Sequence, residues 1–312
     1  MNGYQLKTLG ALLKKGFAFN HLAIPGIDNS PVIERFGEQM RLEEKCLFHS
    51  GVSAGKEYFQ RLHDRIVIGM NQGIATPVVR FADGEYAFYA KSLQCNGLYK
   101  QAESRKTIET ALPLHAKCLR FVSQYGVVAP LIHPGNSNPP KRFFYIFEKK
   151  DDGGALALRF LNFLDENQIV ITGENYIPFY VLYAYLSSKL FAQSVDGKKL
   201  CIVNSTYDEQ TVCNWFARLQ SKPDISFTKI PDCYVATQWR NMKDNILKEI
   251  PSQTEICLVG AGIGALLVSV DVSRKFNIPV IDAGHVLNMM NSREDKSNGD
   301  RMFTLWQNDV GN

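Results

Sequence analysis

No stretch of this 312-residue chain reaches the length of about 18 apolar residues that a membrane-spanning helix needs. The N-terminus shows neither the uninterrupted apolar core nor the cleavage site of a secretory signal. No Cys-x-x-Cys pair occurs. The seven cysteines, Cys46, Cys95, Cys118, Cys201, Cys213, Cys233 and Cys257, are scattered, which argues against a zinc site and against a disulfide framework. Cys201 in Leu-Cys-Ile-Val and Cys257 in Ile-Cys-Leu-Val read as small core hydrophobes, and a reducing cytoplasm fits them best. Charge is in no large excess: the formal value is +4, with no long basic run and no interleaving of aromatic and basic residues, so nucleic acid is not an expected partner. The Walker loop, the Gly-x-Ser-x-Gly elbow and the His-Glu-x-x-His helix are all missing, and serine or cysteine hydrolase chemistry therefore has no support. Internal repeats and low-complexity tracts are absent as well.

What remains is an α/β pattern. From about residue 54 onward, apolar strands alternate with amphipathic helices, which implies a Rossmann-like, mostly parallel sheet with helices on both faces. Helices are expected at 54–72, 103–125 (kinked or split at Pro113), 154–166, 179–192, 206–219, 237–250 and 263–276. Strands are expected at 77–85, 127–132, 169–172, 199–204, 225–230, 255–259 and 279–281. Residues 1–55 read as a helical extension before a main domain at 56–312, with helices at 4–19 and 33–48. In the first of these, Leu6, Leu9, Leu12, Leu13 and Phe17 recur at helical spacing beside Lys7, Lys14 and Lys15. Such a stripe packs on the domain or on a partner, a second copy included, or else lies on a membrane surface.

The most informative stretch is Thr76-Pro-Val-Val-Arg-Phe-Ala-Asp-Gly-Glu-Tyr86. Its β-forming residues end in two carboxylates, Asp83 and Glu85, separated by Gly84. Ligands of α/β sheets bind at strand ends. Two acids spaced by a glycine there suit one hard cation such as Mn²⁺ or Mg²⁺, usually shared with a phosphate. Arg80 adds a fork of donors matched to phosphate. The alternative is an Asp-Gly turn closing the strand, with Arg80 and Glu85 as a surface ion pair.

A second motif lies near the C-terminus. Residues 256–265, Ile-Cys-Leu-Val-Gly-Ala-Gly-Ile-Gly-Ala, read as strand, glycine turn and helix, with Gly260, Gly262 and Ala265 matching Gly-x-Gly-x-x-Ala. Asp282 ends the next strand, where a dinucleotide site places an acid on a ribose hydroxyl. The glycines let a pyrophosphate approach the backbone, and the helix start favours its charge. A tight crossover without ligand is the alternative. His285, in Asp282-Ala-Gly-His, should share that sheet edge as a phosphate or metal contact or a general base, unless it only caps a helix at 286–290. His115 reads as a core histidine; His21, His49 and His63 carry no constellation around them.

Together these residues resemble a known family. Arg80-Phe-Ala-Asp-Gly-Glu85 is similar to the Arg-Phe-Gly-Asp-Gly-Glu element of the bacterial GT-D fold glycosyltransferases, whose hallmark is an Asp-x-Glu metal motif. Gly97-Leu-Tyr-Lys-Gln101 looks like the polar stretch that follows in that family. The glycine turn and Ile278-Pro-Val-Ile-Asp-Ala-Gly-His285 resemble its C-terminal segment. The likeness covers roughly residues 60–290. Ala82 replaces a glycine, and no arginine-proline element stands near 173–178. The resemblance implies a metal-dependent transfer of a sugar from a nucleotide sugar, commonly a UDP-sugar, to a glycan, lipid-linked or protein acceptor at the cytoplasmic side of the membrane. Asp83 and Glu85 would hold Mn²⁺ or Mg²⁺; Arg80, Gly84, Gly260, Gly262 and Asp282 would contact the nucleotide sugar, with His285 beside them. Glu174, in a strand-end loop, is a candidate base. The rival readings are an NAD(P)-dependent oxidoreductase built on the same glycine turn and a non-catalytic interaction protein.

Overall fold

A computed structural model describes residues 9–21, 45–97, 100–137 and 156–291. The core is a sheet of six parallel strands: β3 (Thr76–Phe81), β4 (Val127–Pro130), β5 (Lys199–Asn204), β6 (Asp224–Lys229), β7 (Ile256–Gly260) and β8 (Pro279–Asp282). Their order is β4-β3-β8-β7-β5-β6. All four residues of β4 and of β8 are buried, as expected where helices cover both faces of a parallel sheet.

The helices divide by the direction in which each connection runs. α3 (Arg105–Tyr125), α9 (Val235–Glu249) and α10 (Ala265–Phe276) lead toward the β4 edge and pack on one another over one face. α1 (Gly55–Gln72), α6 (Phe179–Leu186), α7 (Lys189–Ser194) and α8 (Glu209–Arg218) belong to the other. This is what right-handed crossovers require. β5 feeds α8 and its neighbour β7 feeds α10, on opposite faces, so the carboxyl ends of β5 and β7 form a topological switch point, the usual ligand crevice of such sheets.

α2 (Asp83–Tyr89) begins two residues beyond β3. Its buried Tyr86 and Tyr89 stack on Phe160 and Phe163 of α5 (Leu156–Glu166), with Tyr89 and Phe163 centroids 4.6 Å apart. His115 of α3 is fully buried and ties three helices together: its Nδ1 lies 3.2 Å from the Tyr89 hydroxyl and its Nε2 2.8 Å from the Ala236 carbonyl. Burial lowers its pKa to about 4, so it is neutral, donating through one nitrogen and accepting through the other. The core reading of His115 holds.

Several local expectations are corrected. Phe17 is not on a helix. Helical residues end at 14, and Phe17–His21 forms β1, antiparallel to β2 (Lys45–His49). Phe17 buried, Ala18 exposed and Phe19 half-buried is the period of a strand, not of a helix. The helix expected at 33–48 likewise ends in strand β2; its residues 33–44, like residues 4–8 of the first helix, lie outside the described residues. β2 joins the main core, since the Leu47 N–H donates to the Ile132 carbonyl and the Tyr176 hydroxyl to that of Leu47. Residues 169–172 are not a strand. The Asn175 side chain accepts from the Thr172 N–H and donates to the carbonyls of Ser123 and Val170, which occupies the groups a ladder would use. A single bridge, Val128 to Tyr176, remains.

The helix expected at 179–192 breaks at Ser187, because the Ser188 hydroxyl caps α7 by accepting from Phe191 N. α8 starts at Glu209 under an Asp208 cap rather than at residue 206. Pro113 neither splits α3 nor ends it; it is exposed, so water can serve the carbonyl that lacks its N–H partner. Two further short helices are α4 (Pro134–Ser137) and α11 (His285–Met290). No helix among the described residues is long and apolar enough to cross a membrane.

Candidate functional site

The carboxyl edge of the sheet gathers most of the residues singled out in the sequence. Asp83 follows β3, Gly260 ends β7, and Asp282 ends β8 with His285 three residues on. The insertion of β8 between β3 and β7 brings them to one edge.

Arg80 and Asp282 meet, but in the interior. Arg80 is 8% exposed and Asp282 1%. Arg80 Nη2 lies 3.0 Å from Asp282 Oδ1, Arg80 Nε donates to the Asp282 carbonyl at 3.0 Å, and the Arg80 backbone N–H donates to Asp282 Oδ2 at 3.2 Å. Arg80 Nη1 donates to the Tyr183 hydroxyl at 2.6 Å, and the rings of Phe179 and Tyr183 lie 5.4 and 5.2 Å from the guanidinium carbon. Burial opposes the charge of Arg80, yet Asp282, Tyr183 and Glu85 together outweigh it and raise the pKa above the ordinary arginine value. Burial also lifts Asp282 above the usual carboxylate range, with Arg80 working against it.

This corrects two expectations. Arg80 is spent on the protein rather than offered to a phosphate. Both oxygens of Asp282 are engaged by Arg80, so Asp282 is not placed to hold a ribose hydroxyl, and the oxidoreductase reading loses the acid it needs. Gly284 has φ +42°, and a Cβ there would fall inside the Arg80 guanidinium. The bare backbone of Gly284 therefore lets the arginine lie against the β8–α11 turn. His285 is half-buried as the first residue of α11, at the expected edge.

Asp83 and Glu85 are the first and third residues of α2. At about 100° per residue their side chains leave the helix about 200° apart, so they do not face one another. Asp83 is exposed. Glu85 is half-buried and folds back to accept the Ala82 N–H at 2.9 Å, capping its own helix. Among the described residues no three of His, Cys, Asp or Glu gather as a metal group. The two carboxylates expected to share one cation are turned apart, Glu85 on the Ala82 N–H and Asp83 open. Gly84 sits between them with open space around its Cα.

Burial raises the Glu85 pKa to about 7, opposed by Arg80 and by the Ala82 N–H. Between the ordinary glutamate range and about 7, the folded protein holds a proton that the unfolded chain has released, so this group makes stability fall as pH rises through that window. Glu85→Gln keeps the acceptor for Ala82 and removes the charge. It should stabilise the protein at pH 8 by about 1–3 kcal/mol, discounted for partial exposure, and have little effect at pH 5. Urea denaturation at the two pH values checks this; an equal effect at both would mean that Glu85 titrates normally.

Gly260 and Gly262 lie at the switch point. A Cβ on Gly260 would meet Asn204 Oδ1 at 2.8 Å and Leu287 Cδ1 at 2.9 Å. Gly262 has φ +51° and leads through a short 3₁₀ turn, Gly262–Gly264, into α10. Gln101 covers this turn, its Oε1 accepting the Ile263 N–H at 3.2 Å. In the sequence Gln101 closes a polar stretch, and nothing local announces a contact with Ile263, 162 residues away. Tyr207, just after β5, stacks on Phe227 at 4.9 Å and 12° and forms a flat wall beside the crevice. Glu174 is exposed beside the start of β4, where its carbonyl accepts from Arg65, which also holds the Tyr125 carbonyl. That is the amino edge of the sheet, away from the crevice, so Glu174 is not the base.

Comparison with protein-family models, with curated proteins and with solved structures finds no match for this chain.

Proposed function

We propose that the carboxyl edge of the sheet binds the diphosphate of a nucleotide sugar, of the UDP type, and that the protein transfers the sugar to a glycan, lipid-linked or protein acceptor as a glycosyltransferase of the GT-D kind. The observation that carries this reading is the sharing of one sheet edge by the glycine turn at the switch point, the exposed Asp83 and the half-buried Glu85 and His285. The backbone of residues 260–264 and the start of α10 suit a diphosphate, whose negative charge grows as the sugar departs. Tyr207 on Phe227 offers a flat apolar surface to a base. Glu85 exchanges a proton near neutral pH, which an acceptor hydroxyl needs from a general base. A divalent cation, Mn²⁺ or Mg²⁺, would neutralise the leaving diphosphate, with Asp83 as one oxygen ligand and phosphate and water supplying the others.

A donor-hydrolysis screen over nucleotide sugars, with and without EDTA, tests the reading. Release of a nucleoside diphosphate from at least one donor is expected, suppressed by EDTA. Asp83→Asn should lower it about 10²-fold with the fold intact, because Asp83 is exposed and supports no core contact. Unchanged turnover in that variant removes Asp83 from the site. A thermal shift with NADH but none with UDP would favour the oxidoreductase, and no response to any nucleotide would favour a non-catalytic protein.

A further inference from the structure

Gln101 is held over the glycine turn by a built support. Asn96 Oδ1 accepts the N–H groups of Gln101 and Ala102 at 2.8 and 3.0 Å, and Asn96 Nδ2 donates to the Ala102 carbonyl at 2.9 Å. The Gln101 residue is 5% exposed. Its carboxamide lies against Gly262 so closely that a Cβ there would sit 2.6 Å from Nε2. The Ile263 N–H needs an acceptor, so the amide oxygen must face it, and the NH₂ group is directed along the rest of the turn. Among the described residues that NH₂ donates to nothing. The nitrogen is not sealed from solvent, so its two hydrogens are held at the turn where water or a ligand oxygen can accept them. The nitrogen lies against Gly262, three residues before the 12-residue helix α10, whose dipole favours negative charge; the N–H groups of Ile263, Gly264 and Ala265 are already given to Gln101, Ala261 and Gly262.

We infer that the Gln101 carboxamide reads the ligand of this turn: Nε2 donates to an anionic oxygen of a phosphate or diphosphate seated over Gly260–Gly264. The inference rests on, and deepens, the reading of that turn as a diphosphate cradle. It also gives Gly262 a second reason to lack a side chain, since any Cβ would push the carboxamide out of place.

Calorimetric titration in EDTA with inorganic pyrophosphate and, separately, with UDP tests it. The wild type should bind pyrophosphate. Gln101→Glu still offers an acceptor to Ile263 but turns a negative charge toward the anion, and should weaken pyrophosphate at least about ten-fold. Gln101→Met should weaken it several-fold. Thermal melting identifies the variants that fold. As a measurement free of any variant, the side-chain NH₂ resonances of Gln101 in the wild type should shift when pyrophosphate is added. If pyrophosphate binds in this Gln101-dependent way while UDP and nucleotide sugars fail to bind even when Mn²⁺ or Mg²⁺ replaces the EDTA, the inference stands and the glycosyltransferase reading falls. If the wild type binds neither probe, or a folded Gln101→Glu binds pyrophosphate as the wild type does with no shift of those resonances, the inference is overturned.

Discussion

Asp282→Leu is expected to lower the unfolding free energy by about 3–5 kcal/mol, because it leaves the Arg80 guanidinium charged and buried with no counter-ion. Arginine cannot escape by losing its proton, and here the surroundings of Arg80 raise its pKa further. The loss belongs to the broken pair, not to an intrinsic value of the pair. Arg80→Met combined with Asp282→Leu removes both charges and should recover most of the stability. Urea denaturation of the single and double variants reads this directly. If the double variant is as unstable as the sum of the singles, the two residues do not act as one unit. Nearly additive losses would mean that Arg80 is stabilised by something other than Asp282.

The pair also shows where sequence reading ran out. The alternation of apolar strands and amphipathic helices from residue 199 to residue 282 was enough to expect a parallel sheet with helices on both faces, since each strand there is a short, bounded apolar run. Sheet order was not legible. β8 inserts between β3 and β7, and no periodicity says which apolar run neighbours which. Arg80 and Asp282 are 202 residues apart, so each looked like a surface charge waiting for a ligand when their nearest ligand is each other.

Asp83 and Glu85 looked convergent because Asp-Gly-Glu was placed at the end of a strand. The helix that starts at Asp83 turns the two side chains apart, and Glu85 finds the Ala82 N–H instead. The glycine turn was legible, because Gly260 and Gly262 follow an apolar run and precede a helix. Its cover was not, since Gln101 acts on it from a distant part of the chain. The strands at 17–21 and 45–49 were missed because short apolar runs fit both periods, and pairing across the gap decided the outcome.

Gly284→Ala should be the most damaging single methyl group in the carboxyl edge, at about 2–6 kcal/mol, whereas Gly84→Ala should be neutral or stabilising by up to about 1 kcal/mol. The two glycines stand at the ends of adjacent strands, and both were candidate ligand contacts or neighbours of one. Gly84 is the second residue of α2, and a Cβ there meets nothing within 4 Å, so alanine adds only helix propensity. Gly284 has φ +42° and ψ −118°, a conformation that strains any residue with a Cβ. The added carbon also falls on a guanidinium fixed by Asp282 and Tyr183 and flanked by Phe179, so it cannot move aside without breaking the ion pair. Strain of about 1–3 kcal/mol and overpacking of about 1–3 kcal/mol therefore act together. Thermal or urea unfolding of the two variants measures the contrast. The same experiment separates structure from function at this edge. If Gly284→Ala is stable but loses nucleotide binding, the β8–α11 turn itself contacts the ligand; if stability and binding fall together and Arg80→Met restores the stability, the role of Gly284 is to admit the arginine.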